Sequence, residues 1–213
     1  MRGETIRGQA LKILLILAFL AVGIPQRVLG WEPGGLLQIP MAFLTNLAVH
    51  ESGHFIIAEG ADAQDNTLNF FSKKEGSFFI GLSTVRSIDE KSKLTYILGG
   101  EIATGLAFEI ALDRYRSSAL GGSTTYNRSL LFFSGTDFLW YSIYAFYLAP
   151  SRDSRYDPVA LSEATDLGPE AILVIAATQT VLNAYRVFSG QDRIIPYFTF
   201  DQESVSFRLG MRF

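Results

Sequence analysis

The chain has 213 residues, a formal net charge of −3, a pI near 5.4 and no cysteine. That length suits one ordinary domain, the mild acidity argues against a nucleic-acid partner, and without thiols there are no disulfides and no thiolate metal sites. Hydrophobic residues make up 48%, charged residues 18%, and the mean hydropathy is +0.22, more apolar than a water-facing surface normally allows.

The N-terminus reads MRGETIRGQALK, then ILLILAFLAVGI, then PQRVLG. A positive start, an apolar run and the small residue Gly30 make residues 1–30 a signal peptide, or an N-terminal anchor if the run extended to Leu29 spans a bilayer. Residues 31–213 then form a single membrane-embedded domain. Leu36 to Gly60 is the first apolar segment of that domain. Leu68 to Val85, LNFFSKKEGSFFIGLSTV, pairs aromatics and β-branched residues around a KKEG turn and predicts a β-hairpin. Arg86 to Lys93 reads as a charged connection, followed by a second apolar segment, Leu94 to Leu112. Ala119 to Arg128 reads as a loop. The third apolar segment is Leu130 to Ala149. Pro150 to Pro158 is a polar linker, and Asp157-Pro158 opens a short amphipathic helix that stops at Gly168-Pro169. Ala171 to Phe188 is the fourth, milder apolar segment. In the tail, Val205, Phe207, Leu209, Met211 and Phe213 alternate with Ser206, Arg208, Gly210 and Arg212. That period of two makes a strand, and with Tyr197 to Phe200 it predicts a C-terminal β-hairpin over 194–213.

Each apolar segment approaches the ~20 residues that cross a bilayer, and each carries small or polar residues suited to helix packing in lipid. The expected fold class is a mainly α membrane protein: four to five apolar helices, a β-hairpin after the first core helix, and a second hairpin at the C-terminus. The competing expectation is a very apolar soluble helical core. Terminal Phe213 resembles the closing strand of outer-membrane barrels, but the rest of the chain lacks the alternation a barrel needs. The expected partners are membrane lipid and a membrane or membrane-proximal protein substrate, in the bacterial inner membrane or cell envelope, with a multi-pass topology.

Both histidines of the chain lie in NLAVHESGHFIIAEG, four residues apart. On a helix, positions i and i+4 share a face, so two imidazoles can reach one metal ion. Glu51 projects beside that ion and can move a proton between water and a leaving amine. Gly53 permits close approach of another backbone or of substrate. The flanks, LTNLAV and FIIA, are apolar, so the ionisable cluster is buried, and burial of such groups costs several kcal/mol unless they are paired or metal-bound. A pair of satisfied core histidines is the plainer alternative. With no cysteine and no further histidine, the third ligand must be a carboxylate. Asp137, alone in its apolar segment, ranks first. Glu101 follows, although it could instead face the N-terminus of its own helix. Asp157 comes third, because a residue before Pro158 suits a helix N-cap.

AVHESGHFIIAEGADA resembles the first core helix of the site-2 protease family of intramembrane zinc metallopeptidases. ILGGEIATGLAFEIAL is similar to that family's next helix, and SGTDFLWY to the third. The resemblance covers Leu36 to Ala149. It implies zinc on His50, His54 and Asp137, with Glu51 as general base. The family's Leu-Asp-Gly stretch does not surround Asp137, and Gly99-Gly100-Glu101 replaces its A-G-P motif, so Glu101 and Asp157 stay open as ligands. A site resembling the gluzincins would use Glu101. Tyr141 or Asn46 could assist the oxyanion. The expected function is hydrolysis of peptide bonds in or near the membrane. The alternative is a non-catalytic membrane or envelope protein with a structural metal site or a degenerate protease centre.

Overall fold

A computed structural model describes residues 33–74, 77–117, 124–200 and 205–211. The signal-or-anchor segment 1–30 and terminal Phe213 lie outside them. A short 3-10 turn, Pro33–Leu37, enters α1, Gln38–Gly60. An antiparallel hairpin follows, β1 Thr67–Lys74 with β2 Ser77–Thr84, in register Thr67 with Thr84 and Lys74 with Ser77. Then come α2, Glu90–Ile97, and α3, Gly99–Arg116. Next is α4, Thr125–Ile143, which ends in a π-helical turn, Tyr144–Leu148. Two more helices, α5 Asp157–Thr165 and α6 Pro169–Ser189, precede the second antiparallel hairpin, β3 Ile194–Phe200 with β4 Val205–Met211. The chain is mostly helical with two small hairpins, and both hairpins fall where the alternation and turn residues put them.

Several boundaries differ from the expected ones for local reasons. Half of the charged connection is helical, because the Asp89 side chain accepts from the backbone N–H groups of Lys91 and Ser92 and caps α2. The apolar segment Leu94 to Leu112 is broken at Leu98, where α2 and α3 meet at 42°. The expected loop ends early, since Thr124 accepts from the Asn127 N–H and starts α4 four residues before Arg128 does. α5 stops at Asp166, in the left-handed region at φ 57°, before Gly168-Pro169 is reached.

The four membrane-length segments are reduced by the structure. Among the described residues, α6 alone is long and apolar enough to cross a membrane, or two spans if the bent pair α2–α3 counts as one. A multi-pass topology therefore does not follow from helix length and apolarity. The reason lies in the sequence of the other two long helices. α1 carries Asn46, His50, Glu51 and His54 in mid-helix, and α4 carries Asn127, Arg128 and Asp137.

Helices α1, α3 and α4 pack on one another, α6 packs on α4, and β2 lies against α1. Two apolar clusters hold them. Ala42, Phe108, Ala111, Leu112, Leu130 and Leu131 join α1, α3 and α4. Ile97, Leu98, Phe138, Ala145, Phe146, Val159, Leu161, Ile172 and Ala176 join α2, α4, α5 and α6. α1 is arranged inside out: its buried residues are Ala42, Asn46, His50, Gly53, His54 and Ala58, whereas Met41, Phe43, Leu44 and Ile56 are exposed.

A candidate metal centre

Asn46, His50 and His54 follow one another at intervals of four along the buried face of α1. Room for the imidazoles comes from glycines. A Cβ on Gly53 would stand 2.1 Å from the Gly99 carbonyl oxygen, so α1 and α3 touch backbone to backbone there. A Cβ on Gly100 would stand 2.3 Å from His50 Nε2. The expected close approach at Gly53 is made by the backbone of α3.

The ring nitrogens of the two histidines divide cleanly. His50 Nδ1 lies 2.8 Å from Asp137 Oδ2. His54 Nδ1 lies 2.6 Å from the Tyr96 carbonyl oxygen. A carbonyl and a carboxylate only accept, so each Nδ1 is the donor and each neutral ring keeps its lone pair on Nε2. Those two Nε2 atoms are 3.2 Å apart. Asp157 Oδ2 lies 3.0 Å from that of His50 and 3.1 Å from that of His54. With either ring protonated, its Nε2–H donates to Asp157 Oδ2; with both rings neutral, three acceptors converge there. Their spacing approaches the edge of about 3.3 Å of a tetrahedron with zinc-like bonds of ~2.0–2.1 Å. His50, His54 and Asp157 together form a candidate metal site, and the donor set, two imidazoles and a carboxylate, suits a divalent ion with one open position.

Asp137, first in the sequence ranking, stands at the opposite edge of the His50 ring. Its Oδ1 accepts from Asn46 Nδ2 at 2.6 Å and its Oδ2 from His50. That is the place of the carboxylate that orients a metal-binding histidine and raises its basicity. Asp157, ranked third as a helix cap, is the carboxylate that meets both rings. The N-cap position of α5 belongs to Tyr156, without a side-chain cap bond, which leaves the Asp157 carboxylate for the imidazoles. Burial pushes the Asp157 carboxyl up, but the charges and hydrogen bonds of His54 and His50 outweigh this and hold it below the usual carboxylate range. Glu101 is buried on α3, and its Oε1 has no hydrogen-bond partner. It groups more loosely with His50 and Asp137, one ligand atom from each within 4.8 Å of the others.

Glu51 is held from the hairpin. Its Oε2 accepts from the Ser83 backbone N–H at 2.7 Å. Gly81 brings β2 this close, since a Cβ there would stand 2.8 Å from Glu51 Cγ. Tyr141 sets its ring edge-on to His50 at 5.5 Å, and the Tyr96 ring lies 5.4 Å from that of His54. Glu51, His54, Asp157, Tyr96 and Tyr141 line one cavity of about 230 Å³. Asn46, named with Tyr141 as an oxyanion donor, instead donates to Asp137. The Tyr96 carbonyl and the Ser83 amide left no mark in the sequence, because any residue type supplies a backbone group. No family model matches the chain, and comparison with curated proteins and with solved structures returns no match.

Proposed function

We propose that the chain is a membrane-associated zinc metallopeptidase, with His50, His54 and Asp157 as the metal ligands and Glu51 as the general base. The observation that carries the reading is the convergence of two Nε2 lone pairs and Asp157 Oδ2 beside Glu51, at the wall of an open cavity. Zinc bound there supplies Lewis-acid polarisation of a peptide carbonyl and lowers the pKa of water. The chain's own residues do the rest. Asp137 and the Tyr96 carbonyl fix the tautomer and the tilt of the two rings. The Ser83 amide keeps Glu51 oriented and leaves its other oxygen to take a proton from the attacking water. Glu51 then delivers that proton to the leaving amine. Tyr141 is the nearer of the two expected oxyanion donors, because it lines the cavity.

Membrane association is supported by the inversion of α1. Its buried face is small or polar and its exposed face carries Met41, Phe43, Leu44 and Ile56. On α6, Val174, Val181, Tyr185 and Phe188 are likewise exposed, while Asn183 and Arg186 are buried along with Ile172 and Ala176. Exposed apolar residues in such number mark a surface that faces lipid or a partner rather than water.

The test is zinc content and cleavage of a casein-type unfolded substrate by detergent-purified chain. Wild type should carry about one zinc and cleave. Glu51→Gln should keep the zinc and lose cleavage by about 10²-fold or more. A wild type that binds zinc and cleaves nothing turns the reading to a structural metal site.

A further inference from the structure

Zinc at Asp157 would balance only part of the charge around the two histidines. Glu51, Glu101, Asp137 and Asp157 bring four carboxylates, and a divalent ion offsets two of those charges. The remainder gathers at the Asp137 edge of the His50 ring. Glu101 is 3% exposed there, and its Oε1 has no hydrogen-bond partner. Glu101, Asp137 and His50 each place one ligand atom within 4.8 Å of the others. Asn46 meets the same carboxylate from α1: its Nδ2 donates to Asp137 Oδ1 at 2.6 Å, while its Oδ1 is buried without a partner. Buried oxygens left unpaired beside a carboxylate are costly.

We propose that Glu101, Asp137 and the Asn46 carbonyl oxygen hold a second cation, a small hard ion of the calcium or sodium type, which ties α1, α3 and α4 together behind the zinc ligands. The proposal goes beyond the peptidase reading and does not depend on cleavage. His50 is not a ligand of this ion, since its Nδ1 is turned to Asp137 and its Nε2 to Asp157. The donors that remain are oxygens, which select hard cations. A spread of up to 4.8 Å suits bonds of about 2.4 Å to an ion between the donors, the calcium range. Zinc, with bonds of ~2.0–2.2 Å, fits the tighter triangle around Asp157.

The experiment dialyses zinc-loaded full chain in detergent against radioactive calcium or radioactive sodium, with choline holding the ionic strength constant. One of the two ions should bind at about one per chain beyond the zinc. At about 100 times its Kd it should raise Tm by about 5–10 °C. Glu101→Gln should lose both the extra ion and the Tm response and keep its zinc. Glu101→Asp retains the charge at shorter reach, and should need at least about tenfold more cation for the same response. It serves as the test if the Gln variant does not fold. No ion beyond the zinc in either arm overturns the proposal, and so does an extra ion that neither variant weakens. Loss of the zinc itself in Glu101→Gln makes Glu101 a zinc ligand and also overturns it. An extra ion that behaves as expected in a chain that cleaves no peptide leaves this site standing and sinks the peptidase reading.

Discussion

Two charged clusters in this molecule have buried members, and they are built differently. On α6, Arg186 is 1% exposed and sits among its counter-charges. Its Nη1 and Nη2 donate to Glu109 at 2.5 and 2.7 Å, and its Nε to Asp192 at 2.8 Å. Arg116 joins from α3, donating to Asp192 at 2.7 Å and to the Arg186 carbonyl at 2.8 Å. Two guanidiniums meet two carboxylates, and hydrogen bonds from Arg116 and then Arg186 hold the Asp192 carboxyl at about 2. On α1 the balance is missing. Glu51, Glu101, Asp137 and Asp157 gather around two histidines. The donors that reach them are imidazoles, the Asn46 amide and the Ser83 amide. None of these carries a permanent positive charge, and Glu101 Oε1 has no donor at all. A cluster that only ties elements together neutralises itself, because an unpaired buried charge is costly. A cluster short of positive charge can offset that cost by binding a cation.

The sharpest way to break this contrast is Asp157→Ala. Removing one of three protein ligands should take zinc from about one per chain to near zero after dialysis, as read by atomic absorption. Asp137→Asn comes next. It neutralises a carboxylate that meets His50 through Nδ1 rather than Nε2, so the ion should stay but bind about 10–100-fold more weakly against a competing chelator. If the two variants exchange ranks, the ion sits on the Asp137 side with Glu101, and the converging Nε2 atoms have another explanation.

That exchange is also the point at which the sequence stops being informative. The helix bearing His50 and His54 was legible because their spacing matches one helical turn, and the two hairpins because a period of two and their turn residues are local signals. The choice among three carboxylates was not local. Asp137 stands out locally because it is alone in an apolar run, and Asp157 recedes because a carboxylate before proline suits a cap. What brings Asp157 to both rings is the packing of α5 against α2 and α4, through Val159, Leu161 and their neighbours, which no nearby residue announces. The broken segment at Leu98 is half legible. Gly99 and Gly100 are visible as a pair of small residues, but their purpose, clearance for the His54 backbone and the His50 ring, needs the partner helix. Fewer helices are apolar enough to span a membrane than the four segments suggest, for a related reason: the polar residues gathered at the candidate centre also lower the apolarity of α1 and α4.

Arg186→Met tests the balanced cluster. It leaves Glu109 and Asp192 without their shared partner, and breaking a buried pair costs about 3–5 kcal/mol. Glu109 is 48% exposed on its side chain, so water recovers part of that loss and the lower end is expected. For a chain of this size that lowers Tm by about 6–12 °C, with zinc content unchanged. A loss of zinc would mean that the two clusters are coupled through α3 and α4.

Gly81→Ala should have the smallest effect and bears on the hairpin alone. The added Cβ would meet Glu51 Cγ at 2.8 Å and Leu47 Cγ at 3.2 Å. Leu47 can change rotamer, but Glu51 is fastened to the Ser83 amide, so β2 has to move outward and that hydrogen bond lengthens. The proposed metal ligands lie on α1 and α5 and do not touch the new methyl group, so zinc content should not change. A base misplaced by a fraction of an ångström should lower kcat by about 3–10-fold with KM little altered. An unchanged kcat would mean that α1 alone positions Glu51. A raised kcat would mean that the Ser83 amide restrains the base, and that β2 must lift from Glu51 before a peptide can be cut.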